Sequence, residues 1–87
     1  MEELHNAFVH DVSLKCKGDI LYALVGLQFD AFSQGFSVTS EEQIARLMHI
    51  CGITDWSKMV GRPVRAIYGA AITRVQHFLT DEMMDLK

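Results

Sequence analysis

Between Ala7 and Lys17 the side chains alternate, with Phe8, His10, Val12, Leu14 and Cys16 on one side and Val9, Asp11, Ser13, Lys15 and Lys17 on the other. A period of two is the repeat of an extended chain, so this stretch is expected to be a strand with one buried face. Lys17-Gly18-Asp19 carries the chemistry of a tight reversal, and the β-branched and aromatic run Ile20 to Phe29 returns as its hairpin partner. Both faces of this second strand are largely apolar: Ile20, Tyr22, Leu24, Gly26 and Gln28 on one, Leu21, Ala23, Val25, Leu27 and Phe29 on the other. Such a strand needs cover on both sides. A helix from the same chain supplies one cover and a second copy most simply supplies the other, so a homodimer through a sheet face or edge is expected.

Asp30 to Thr39, with Phe32, Gln34, Gly35 and Phe36, reads as a polar, glycine-bearing loop with two exposed aromatics. Ser40-Glu41-Glu42-Gln43 is a capping box whose acids sit at the positive end of a helix dipole. Ile44, Leu47, Met48 and Cys51 then form one apolar stripe, and Gly52 with Ile53 is placed to close the helix in a left-handed cap. Thr54 to Lys58 suits a single helical or 3₁₀ turn that folds Trp56 over the core. Pro63 permits a strand start, Val64 to Tyr68 continues it, Gly69-Ala70-Ala71 is a hairpin loop, and Ile72 to Leu79 returns. Met83 to Lys87 reads as a short tail that frays. The expectation is one α+β domain over residues 1–87, a two-layer ββαββ sandwich with a four-stranded antiparallel sheet and one helix across a face.

At 87 residues, the chain buries roughly 64% of its unfolded surface, which makes a monomer marginal and agrees with self-association. A composition of 49% hydrophobic and 22% charged residues excludes a disordered chain. The net charge of −3 gives no global case for wrapping nucleic acid or coating an anionic membrane. Nothing approaches eighteen consecutive apolar residues, and Met1-Glu2-Glu3 lacks the basic start of a signal peptide, so a cytoplasmic protein is expected.

Cys16 and Cys51 are too few for a disulfide scaffold and are expected as free thiols. His49 and Cys51 are two apart on the helix and point to different faces, so no metal site and no cofactor are expected. His10 and Cys16 share a strand face but lie about 20 Å apart, beyond a hydrogen bond, and Ser57 with Asp55 lacks a histidine partner. The chain is therefore not read as an enzyme. Two surfaces remain. The loop with Phe32, Gln34, Gly35 and Phe36 suits a protein contact, while Arg62, Arg65 and Arg74 with Tyr68 form a local basic strip.

The segment Gly52-Ile53-Thr54-Asp55-Trp56-Ser57-Lys58-Met59-Val60-Gly61-Arg62-Pro63-Val64-Arg65, followed by His77-Phe78-Leu79 and Asp81-Glu82, resembles a family of small phage and prophage accessory proteins. Gln34-Gly35-Phe36 is similar to that family's Q-G-F-G loop. The resemblance covers roughly residues 20 to 82, and the chain departs from the pattern at Ser37, at Met83 and in a shorter hairpin around Gly69. It implies a phage-type protein that acts in the bacterial host cytoplasm by binding a host protein or complex, in the manner of an anti-CRISPR inhibitor of a defence system. Phe32, Gln34, Gly35, Phe36, Arg62 and Arg65 are the expected partner-binding residues. The alternatives are a nucleotide-like anion held by Gln34 and Gly35 with an arginine at an oligomer interface, and a nucleic-acid module using Arg62, Arg65, Arg74 and Tyr68.

Overall fold

The computed structural model describes residues 3–86; the acidic start at Met1-Glu2 and the final Lys87 lie outside the described residues. Six strands form one antiparallel sheet: β1 (His5–Lys17), β2 (Ile20–Gln28), β3 (Ser33–Thr39), β4 (Pro63–Tyr68), β5 (Ile72–His77) and β6 (Met83–Asp85). They run in the spatial order β3-β2-β1-β4-β5-β6. One helix, α1 (Glu41–Cys51), lies between β3 and β4 in the chain, followed by a 3₁₀ turn over Trp56–Lys58. The α+β class and the antiparallel sheet agree with the sequence reading, but the expected four strands are six.

The two additional strands have different origins. The expected loop is β3, paired with β2 from Tyr22↔Thr39 to Gln28↔Ser33. Its serines and glycine read as turn chemistry because they all project to one side, while only Gln34, Phe36 and Val38 face the helix. The expected fraying tail holds β6, where Met84 pairs with Val75 and is buried. Three residues are too short to show a period.

The strict alternation expected across the first strand is also interrupted. Val9 pairs with Leu27 and Asp11 with Gly26, leaving His10 as an extra residue. This bulge reverses the phase. Ala7 and Val9 face the core before it, whereas Val12 faces the core after it and Asp11, Ser13 and Lys15 turn outward. The bulge lies where the neighbouring chain leaves: the Val9 N–H donates to the Arg62 carbonyl at 2.9 Å and the Gly61 N–H to the Val9 carbonyl at 2.8 Å. Beyond that point β1 is paired on its β2 side alone among the described residues.

The helix begins and ends where the sequence placed it. Only half of the expected capping box forms, because the Gln43 side chain reaches the Thr39 N–H and the Ser40 N–H donates to Leu21. The Ser40 hydroxyl accepts the Gln43 N–H at 3.3 Å, and Glu41 and Glu42 occupy the first turn. Gly52 adopts φ 72°, and the N–H groups of Gly52 and Ile53 return to the carbonyls of His49 and Met48. The helix seats Ile44, Leu47, Ile50 and Cys51 against the sheet, and Met59 joins them from the following turn. Trp56 packs on this core half-buried, as the sequence suggested. The sheet wraps the helix far enough for the Gln34 amide to donate to the Ala70 carbonyl, 3.0 Å across the open end.

Candidate functional site

In an antiparallel ladder, alternate residues turn their N–H and C=O groups to one neighbour and the residues between them to the other. The Ser40 N–H donates to the Leu21 carbonyl, so residues 34, 36 and 38 point their backbone groups at β2. Gly35, Ser37 and Thr39 therefore point theirs away from the sheet, and all three are exposed. The Gln43 side chain accepts the Thr39 N–H at 3.0 Å. Gly35 and Ser37 are left with outward backbone groups at the centre of this edge, whose Gln34 end is approached by the loop between β4 and β5.

An exposed edge is ordinarily guarded by charge, proline, a bulge or shortness. The open half of β1 has the bulge at His10 together with Asp11, Lys15 and Lys17. The other outer edge, β6, is three residues long. By contrast β3 is seven residues of Ser-Gln-Gly-Phe-Ser-Val-Thr, with neither charge nor proline. Phe36, between Gly35 and Ser37 in the strand, is half-buried against the core.

On the helix-free face, Asp11, Gly26 and Gly35 form one row across three strands, and Ser13, Leu24 and Ser37 form the next. The missing side chains at the two glycines leave a shallow trough of about 560 Å³ that reaches the β3 edge. The Asp11 carboxylate lies over Gly26, where any Cβ would collide with it, and sits 3.3 Å from the His10 imidazole. Ile20 and Leu24 on this face are 60% and 42% exposed among the described residues, and this is the face for which the sequence suggested a second copy.

The sequence-nominated residues divide between separate places. Gln34, Gly35 and Phe36 all belong to the β3 edge. Phe32 stacks on Phe29 at 4.9 Å and meets Tyr68 edge-on, in an aromatic cluster that also includes His5. The arginines are spread over the fold and each has a local partner. Arg62 donates from Nε to the Cys51 carbonyl at 3.0 Å, and Arg65 donates to the carbonyls of His77 and Thr80, with its buried Nε unpartnered. Arg74 pairs with Asp85 at 2.8 Å. Tyr68 faces the aromatic cluster instead of flanking these guanidinium groups.

The thiols and histidines also serve local roles. Burial pushes the Cys51 thiol up to about 11, against a smaller opposing pull from Arg62. His49 pairs with Glu82, joining the last turn of α1 to the chain leading into β6. The exposed Cys16 thiol donates to the Gly18 carbonyl within the hairpin turn. Among the described residues no group of three or more histidines, cysteines and carboxylates is arranged to hold a metal ion, and no helix is long and apolar enough to cross a membrane. Sequence reasoning missed the edge itself; the serines and glycine at every second position, 33, 35 and 37, were its available signal.

Comparison with known protein families, with curated proteins and with solved structures finds no match.

Proposed function

We propose that this chain is a non-enzymatic binding protein of the phage accessory type, which engages a host protein in the bacterial cytoplasm and inhibits the system to which that protein belongs, such as CRISPR-Cas. The observation that carries the binding reading is the unguarded β3 edge, seven uncharged residues with outward backbone groups at Gly35 and Ser37. Strand addition at a sheet edge is a recurrent mode of protein recognition, with main-chain hydrogen bonds providing affinity and alternate side chains providing selectivity. The phage context and the defence target rest on the resemblance of the Gln34-Gly35-Phe36 stretch and of the Trp56 to Arg65 segment.

The test is capture from bacterial lysate by immobilised wild-type protein and by Ser37→Pro, which removes one outward N–H while leaving the β2 ladder its own donors. The expected result is a stoichiometric host protein held by the wild type at high salt, whose activity falls on addition of the chain. Retention of nothing from the bacterial lysates tested would overturn the reading.

A further inference from the structure

We infer that the β3 edge receives an extended segment of a partner protein with basic residues at both of its ends and an apolar residue near its middle, a proposal that rests on the binding reading above. The evidence is the charge around the edge. Asp30 precedes β3 and Glu41 and Glu42 follow it, all exposed, so acids stand at both ends of a strand that is itself neutral. On the helix-free face, Asp11 lies two strands from Gly35 and Lys15 two strands from Thr39, each roughly 10 Å from the edge, so the pair offset one another and the acids flanking β3 set its charge. Cationic ends therefore meet complementary charge in either strand direction, and steering by such charge is a rate and specificity effect.

The same charges select against a second copy at this edge. A two-fold pairing centred on Phe36 would match Gly35 with Ser37 and Ser33 with Thr39, and would bring the end of β3 that follows Asp30 toward the mate's end that leads into Glu41 and Glu42. Acids brought toward acids in this way disfavour the pairing. A foreign strand with basic ends avoids this and places its central apolar side chain beside the half-buried Phe36.

The probe is an acetylated and amidated nine-residue peptide, Lys-Thr-Val-Thr-Val-Thr-Val-Thr-Lys, compared with the same peptide carrying glutamate at both ends. Backbone amide NMR and hydrogen exchange on the full chain report where it binds. The expected result is slowed exchange at the Gly35 and Ser37 amides, with binding at least tenfold tighter for the lysine-ended peptide and weaker as salt is raised. Ser37→Pro should abolish the protection, and Glu42→Lys, which keeps every backbone donor of β3, should weaken binding by repelling a cationic end. Equal binding of the two peptides, or perturbation confined to residues outside β3, would overturn the inference. So would a wild-type dimer in light scattering that Ser37→Pro dissociates. If Ser37→Pro retains the lysate partner as well as the wild type does, the edge inference fails while the binding function stands. If the peptides behave as expected and no host protein is held, the edge inference stands and the host-binding reading fails.

Discussion

Gln34 and Ala70, thirty-six residues apart in the chain, are joined by a hydrogen bond of 3.0 Å from the Gln34 amide to the Ala70 carbonyl. This bond ties β3 to the loop between β4 and β5. It also fixes the position of the edge argued to bind a partner, since Gly35 and Ser37 follow directly on Gln34.

Replacing Gln34 by alanine removes one exposed side-chain bond, so the global loss should be small, about 0.5–1.5 kcal/mol. The local effect should be larger. Amides of Gln34 and Phe36, which pair with β2, and of Gly69 should exchange faster, while those that pair β1 with β2 should not change. A uniform rise in exchange across the sheet would show that the bond has no such local role.

Core and surface leucines should separate cleanly. Leu47 is 1% exposed, at the centre of the helix–sheet contact, and Leu79 is 82% exposed after β5. Leu47→Ala should cost roughly 2–5 kcal/mol through lost transfer energy and the cavity left behind. Leu79→Ala should stay within about 0.5 kcal/mol of the wild type. Urea denaturation reads both, and a Leu47→Ala protein as stable as the wild type would contradict the packing described above.

The helix caps, Gly52 turn, 3₁₀ turn and second hairpin were legible in the sequence because each depends on residues within about four positions of one another. The edge strand was not. Ser33, Gly35 and Ser37 carry no hydrophobic signal, and their extended conformation is imposed by Val25 and Leu27 of β2 through the ladder. The bulge at His10 was hidden for a similar reason: it answers to the departure of Gly61 and Arg62, about fifty residues later in the chain. The candidate site was half legible. Gln34, Gly35 and Phe36 were nominated as a loop and share one edge, whereas Phe32 belongs to an aromatic cluster and Arg62 and Arg65 hold backbone carbonyls elsewhere.

Thiol chemistry should follow burial and pH. Cys16 is exposed and Cys51 is buried, so Ellman's reagent should titrate one thiol in the folded protein and two after denaturation. The folded Cys51 pKa, about 11, lies above its ordinary value of 9.0. The unfolded chain therefore releases this proton first, and the stability contributed by keeping Cys51 neutral is complete below about pH 9. It should decline as pH rises from 9 and be lost by about 11. Cys51→Ala should flatten this part of the curve relative to wild type in denaturation series from pH 8 to 11.

Ser40 tests whether the helix start is set by its cap or by its backbone. It accepts the Gln43 N–H while holding φ at 78°, a conformation unfavourable to any residue with a Cβ. Ser40→Ala loses the cap and keeps the strain, so it should destabilise by about 1 kcal/mol. Ser40→Gly loses the cap and relieves the strain, and should lie within about 0.5 kcal/mol of wild type. The order of stability should be serine and glycine together, then alanine, read from melting of the helical circular dichroism signal. Glycine falling to the level of alanine would mean that the hydroxyl alone sets the start of α1, and that the positive φ contributes nothing to how β3 hands the chain to the helix.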